Sequence, residues 1–236
     1  MNVSLHPIRA KGITEQVYEQ LRDLIYRGQF RPGDKLPPER ELAQSLGVSR
    51  PTVKTAIGKL VNNGLVEQKQ GQGSFVRSYQ SQYQNNPLLE IFDVQTVSLV
   101  DLLEVRSGLE VTAASLAAQR ATQDDIDALQ SCLDEMQSRI ENGEVGAEED
   151  VTFHMNLAYA TKNSAQIYLM KHFYDLLFYG IKQSQFYLIE SGNLQKMSDH
   201  HANILEYIKN RDIQGSQRAM QRHIQYVREF CRSQDL

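Results

Sequence analysis

The chain has 236 residues, 41% hydrophobic and 23% charged, the balance of a soluble globular protein with one or two domains, each half long enough to bury a core. No apolar run approaches the length of a membrane span, and residues 1–11 lack the apolar centre of a signal peptide, so a cytoplasmic location is expected. The net charge of −4 hides an asymmetry: residues 1–78 carry 12 Lys+Arg against 7 Asp+Glu, net +5, and the remainder is net −9, as expected of a nucleic-acid reader joined to a separate sensor.

Residues 13 to 28 place Ile13, Val17, Leu21, Leu24 and Ile25 at helical spacing, with Gly28 as the stop. Pro37-Pro38 opens a second helix whose apolar face is Leu42, Ala43 and Leu46, and Gly47 supplies the left-handed residue that ends it. Ser49 stands at an N-cap position with Pro51 in the first turn behind it. The third helix turns Val53, Ala56, Ile57 and Leu60 inward until Asn62-Asn63-Gly64. Helix, short glycine-containing turn and helix make a helix-turn-helix, and Ser49, Arg50, Thr52 and Lys54 remain outside on the first turn, where a recognition helix meets base edges and phosphates. Residues 65–69 and 74–77 read as two strands joined by Gln70-Gly71-Gln72-Gly73, a turn whose backbone can approach a partner closely.

The strings PGDKLPPERELA, GVSRPTVKTAI, NGLV and QGQGSFV, in that order, resemble the winged N-terminal domain of the GntR family of bacterial transcription regulators. The resemblance implies a homodimer on a palindromic DNA operator, with each recognition helix in the major groove. It assigns base or phosphate contacts to Arg40, Arg50 and Lys54, and phosphate contacts to Ser49, Thr52, Gly71 and Gly73. The family often has arginine where Lys54 stands; lysine reads guanine less rigidly.

Domain boundaries are expected at 1–78 for the winged unit, 79–87 for a polar linker ending at Pro87, and 88–236 for an all-α bundle of six or seven helices. LLEIFD and SLVDLLEVRSGLEVTAASLAAQRA are amphipathic, and Thr122 is placed to cap the helix that follows. Breaks are expected at Asn142-Gly143 and Gly146, at Glu190–Asn193 and at Asn210-Arg211-Asp212. Cys132 and Cys231, without CxxC spacing, are read as reduced thiols.

Asp150 and His154 are spaced i, i+4 and project from one helix face; His201 and His223 lie on two later helices. One carboxylate and three imidazoles form a ligand set for a divalent metal, with open positions left over. Zinc fits first, while nickel, manganese and iron share the ligand types. Hydrogen-bonded or solvated core histidines account for the same spacing. The strings DVTFHMNLAYATKN, HANILEYI and AMQRHI resemble the ligand-binding (FCD) domain of the FadR-type branch of the same family, and the resemblance assigns Asp150, His154, His201 and His223 as ligands. His200 competes with His201, but neighbours on a helix point about 100° apart, so one of the two faces the core.

Arg106, in LLEVRSGLE, needs an anionic partner on an otherwise apolar helix: Glu104, Glu110 or an acid on a neighbouring helix in one reading. The resemblance instead gives Arg106, with Asn163, to a small carboxylate effector. Phe173, Tyr174, Phe178, Tyr179, Phe186 and Tyr187 are read as core or dimer face. The sequence therefore reads as a non-enzymatic regulator whose DNA affinity responds to a carboxylic acid at a metal centre. A purely structural metal with another effector, or a metal hydrolase using Glu149 as base, are the alternatives.

Overall fold

The structure, a computed structural model, describes residues 12–77, 98–144, 146–174, 176–177 and 193–233. The chain forms two compact units, Met1–Gln82 and Tyr83–Leu236. The expected linker and the LLEIFD segment lie outside the described residues.

The first unit contains α1 (Ile13–Tyr26), α2 (Glu39–Leu46), α3 (Arg50–Asn62) and a hairpin of β1 (Val66–Lys69) and β2 (Gly73–Val76). Helices α1 and α2 both pack on α3, around a core built on Leu21, Val53, Ile57 and Leu60. Ile13 departs from expectation: it is 62% exposed, because it opens α1 and only the later apolar turns at Val17, Leu21 and Ile25 reach the core. Gly47 takes φ 64, and the chain closes behind it when Val48 N–H donates to Ala43 O at 3.0 Å. A side chain there would be strained, which is what the sharp turn asks of glycine. Ser49 caps α3 by accepting from Thr52 N–H at 3.3 Å.

The strands are antiparallel with Val66 opposite Val76 and Lys69 opposite Gly73. They therefore start one residue later and earlier, respectively, than the apolar pattern suggested, since pairing and not side-chain alternation sets where a ladder ends. Lys35 adds a single antiparallel bridge to Phe75, and Leu36 N–H donates to Ser74 O at 2.9 Å.

The second unit contains α4 (Leu99–Arg120), α5 (Gln123–Glu141), α6 (Ala147–Ala160), α7 (residues 164–174), α8 (Leu194–Lys209) and α9 (Ile213–Ser233). Capping boxes start α4 at Ser98/Asp101 and α5 at Thr122/Asp125, each joining two otherwise orphaned backbone donors to side chains. Helix α4 lies along α9, where Ala113, Ala114, Ala117 and Ala118 let the backbones approach closely enough for Ser216 Oγ to donate to Ala114 O at 3.2 Å. Helix α8 packs against α9 and α5, and α6 packs against α5 and α4. Along α6 every side chain but Glu148 and Thr152 is buried. A helix buried on all sides normally carries only apolar residues, so Glu149, Asp150, His154 and Asn156 on α6 need partners supplied by its neighbours. Among the described residues, no helix is long and apolar enough to cross a membrane.

Candidate functional site

In the first unit, the start of α3 presents Ser49, Arg50 and Lys54 to solvent with Thr52 half-buried, and α2 adds exposed Arg40. The hydroxyls of Ser49 and Thr52 lie 2.7 Å apart, so both already take part in the cap. Arg50 Nε donates to Glu39 Oε2 at 3.3 Å while its side chain stays 70% exposed, a solvated pair that holds the guanidinium without consuming it. A groove of about 800 Å³ opens between this face and the hairpin, with Lys35, Arg40, Arg50 and Lys69 among its lining residues. Gly71 and Gly73 are exposed at the hairpin end, with φ 72 and 116. Gly73 belongs to β2 and not to the turn, and a Cβ there would meet Lys35 Cε at 3.0 Å. Glycine thus seats the Lys35 stem across the hairpin, and Lys35 and Lys69 bring their ammonium groups 6.0 and 4.8 Å from the Phe75 ring centroid. Lys35 and Lys69 carried no signal in the sequence beyond their charge.

In the second unit, His154 on α6, His201 on α8 and His223 on α9 converge; one ring nitrogen from each lies within 4.8 Å of the other two, and all three residues are buried. His154 Nε2 is 3.1 Å from His201 Nε2, which is 3.3 Å from Asp150 Oδ1. Two ligand atoms each ~2.1 Å from one ion stand ~3.0 Å apart at the right angle of a six-coordinate ion and ~3.4 Å apart at a tetrahedral angle, so these separations suit a shared ion in either geometry. Both ring nitrogens of His223 and Nδ1 of His201 are buried with no hydrogen-bond partner among the described residues. The donor set and its orphaned nitrogens therefore fit a divalent cation.

Around the triad runs a second polar layer. Arg106 Nε donates to Glu110 Oε1 at 2.6 Å, and its Nη2 lies 2.8 Å from His154 Nε2. Glu110 Oε1 also accepts from the Tyr174 hydroxyl, and Oε2 lies against His154 Nδ1, off the line of an ideal hydrogen bond. Of the partners proposed for Arg106, Glu110 is thus the one it takes; Glu104 pairs instead with Arg228 and Arg232, at 3.3 and 3.4 Å.

Burial, the neighbouring His201 and His154, and Arg106 all push the imidazole of His223 well below the ordinary histidine range. Burial also lowers His154, against the opposing pull of Glu110. Burial alone would raise the carboxyls, but Arg106 and His154 outweigh it and hold Glu110 down to about 2. His201, His154 and Arg106 do the same for Asp150, which stays well below the usual carboxylate range. Neutral His154 and His223 beside charged Asp150 are the protonation states that metal ligation requires.

The remaining sequence-based expectations fall into place as follows. His201 is 1% exposed and faces the triad, whereas His200 is half-buried with its ring edge-on to Tyr226 at 5.1 Å. Asn163, given by resemblance to the effector, precedes α7, and its Oδ1 accepts from Ala165 and Gln166 N–H at 3.1 and 3.3 Å, the work of a helix cap. Glu149, the base a hydrolase would need, is buried and bound by Arg139 at 3.2 Å. Phe173 and Tyr174 are buried, but Tyr174 joins the polar layer and is not simply core; Phe178, Tyr179, Phe186 and Tyr187 lie outside the described residues. Glu110 was legible only as a candidate partner of Arg106, and the place of Tyr174 in the site and the approach of Glu110 to His154 were not. The i, i+4 spacing of Arg106 and Glu110 was the one legible signal.

A winged helix-turn-helix followed by an all-helical bundle with a buried polar site defines a transcription regulator with a ligand-sensing domain. The chain matches the model of the bacterial regulatory proteins of the gntR family over residues 13–76 and that of the FCD domain over 101–226. It is 32% identical over 208 residues to the HTH-type transcriptional regulator LutR of Bacillus subtilis (strain 168), covering 87% of this chain and 95% of that protein. The putative L-lactate dehydrogenase operon regulatory protein of Escherichia coli (strain K12) is 31% identical, over 92% of this chain and 85% of its own. The solved structure of Streptococcus agalactiae GntR is 28% identical and matches with a TM-score of 0.51, over 92% of this chain and 100% of its own. The chain belongs to the gntR family of bacterial regulatory proteins, as a DNA-binding transcription regulator with a C-terminal effector-binding FCD domain. That domain contains a buried histidine triad able to hold a metal.

Proposed function

We propose that the chain binds a palindromic operator as a homodimer, and that a small carboxylic acid, bound at a divalent metal in the FCD domain, controls its affinity for DNA. His154, His201, His223 and Asp150 are the metal ligands in this reading. Zinc suits them first, and nickel, manganese or iron share the ligand types. One observation carries the proposal: three buried imidazoles converge beside a charged carboxylate, and His223 has no partner at either ring nitrogen among the described residues. Buried polar atoms left unpaired are costly, and one cation would take one nitrogen of each ring together with the carboxylate.

Ligation by these four groups leaves positions open on a six-coordinate ion. A carboxylate can fill them, and ligation through His154 Nε2 releases the Arg106 Nη2 group now beside it, leaving N–H groups beyond the one on Glu110 with which to pair the acid. One relative is named for an L-lactate dehydrogenase operon, and a 2-hydroxy acid can reach a metal through carboxylate and hydroxyl together. Asn163 keeps the effector contact that the resemblance gives it, beside its bonds as the cap of α7.

On the DNA side, Arg40, Arg50 and Lys54 contact bases or phosphates. Ser49, Thr52, Gly71 and Gly73 line the phosphate track, which Lys35 and Lys69 extend along the groove. Effector binding acts by shifting the population between two arrangements, through its different affinity for each.

The test is the melting temperature of the zinc-loaded protein against small hydroxy, keto and di- or tricarboxylic acids. A true effector adds ~2.7 kcal/mol of stability at a hundred times its dissociation constant. That rise should vanish when zinc is removed with a chelator. A flat panel on protein that holds zinc would leave the metal structural and the effector of another class.

A further inference from the structure

Inside the FCD domain Glu110 Oε1 accepts from Arg106 and Tyr174, and its charged Oε2 lies close against His154 Nδ1 without hydrogen-bond alignment. All four residues are 2% exposed or less, so water does not compete for these contacts. We propose that Glu110 is a positioning residue that sets the tautomer of His154, keeping the proton on Nδ1 and the lone pair on Nε2. The purpose given to that lone pair rests on the metal reading above.

A neutral imidazole has one N–H, and an ionised carboxylate only accepts. Contact with Glu110 Oε2 therefore puts the proton on Nδ1. Arginine only donates, so Arg106 Nη2 at 2.8 Å from Nε2 independently demands a lone pair on that nitrogen. Two neighbours on opposite sides of the ring agree on one tautomer. The nitrogen they leave unprotonated is the one that faces His201 Nε2 at 3.1 Å. A carboxylate behind a ligating histidine, fixing its tautomer and raising its basicity, is worth tenfold or more in metal affinity at other metal sites.

The geometry also says what a minimal change does. In Glu110→Gln, one oxygen must still accept from Arg106 and Tyr174, which turns the amide N–H₂ toward His154. That group needs a lone pair on Nδ1, so the proton moves to Nε2, where it meets the N–H of Arg106 and closes the nitrogen to a metal.

The experiment reads two quantities on the full-length protein. Imidazole ¹⁵N shifts of metal-free wild type should give a protonated Nδ1 and a bare Nε2 for His154, and zinc affinity is measured by competition with a chelator. Glu110→Gln should reverse the two nitrogens and weaken zinc about 10–100-fold, while Glu104→Gln, the same change at an exposed carboxylate of α4 that pairs with Arg228 and Arg232, retains both the tautomer and the affinity. A wild-type His154 protonated on Nε2 would overturn the proposal without any variant having to fold. So would a folded Glu110→Gln protein that binds zinc as tightly as the parent. Failure of wild type itself to bind zinc is a different result, and overturns the metal reading on which the role of Glu110 depends.

Discussion

The two units solve opposite problems with polar side chains. In the winged unit every buried residue among those described is apolar, and the cations proposed to meet DNA stand on the surface, most of them along an open groove. In the FCD unit the chemistry is inside: Arg106, Glu110, Asp150, His154, His201 and His223 are all within 3% of full burial. A polyanion spread over many phosphates is bound by many exposed charges that keep their water until contact, each contributing modestly. A single ion or small acid is recognised by a few groups desolvated in advance, which must then satisfy each other. The first arrangement tolerates losses one at a time; the second does not.

That contrast is tested most severely at the triad. His201→Ala should lower zinc affinity by more than the ~10–100-fold typical of outer-sphere changes, and His200→Ala should leave it within a fewfold. Chelator competition on both variants checks this, and the opposite ranking would put the wrong face of α8 inward.

Next in size is Arg50→Ala, which should weaken operator binding by ~1–3 kcal/mol, or about 5–150-fold, with zinc affinity unchanged. Fluorescence anisotropy with an operator duplex measures it, and undiminished binding would remove Arg50 from the interface.

Acidification should act on the buried unit. Unfolded histidines take up protons near pH ~6.5, whereas burial keeps His154 and His223 neutral in the fold. The unfolded state then binds more protons, so stability rises with pH across that window and falls as pH drops from 7 toward 5. Below that, Asp150 and Glu110, held low in the fold, add a further loss in the range where unfolded carboxyls protonate. Melting curves in chelator from pH 7.5 to 4.5 should decline throughout, and a flat profile above pH 5.5 would mean the imidazoles are not held neutral.

The smallest effect is expected at Lys35→Ala, on the tolerant side of the comparison. Operator affinity should fall a fewfold, and the slope of log affinity against log salt should lessen by ~0.9. An unchanged slope would separate Lys35 from the phosphates despite its seat on Gly73.

Much of this was legible in order along the chain. The winged unit is written in signals a few residues apart: the apolar periodicity of α2 and α3, Gly47 between them, and Ser49 with Pro51 behind it. The facing of His201 was also within reach, since Met197, His201, Ile204, Leu205 and Ile208 share one buried stripe that His200 leaves. Where the sequence misled was at chain ends and element ends, at Ile13 and at Gly73, because an end lacks the neighbouring turn or strand that periodicity assumes.

By itself, then, the sequence determined the succession of helices, the cap residues and the split of charge between the halves, because each depends on local spacing and side-chain type; the ligand set came from the family resemblance of its strings. Only the tertiary structure decided the pairing inside the site. Glu110 meets Tyr174 from 64 residues away, and Arg106 divides itself between Glu110 and His154. Donors and acceptors removed from water must find partners wherever the packed helices bring them, and that matching is a property of the folded interior, not of any stretch of chain.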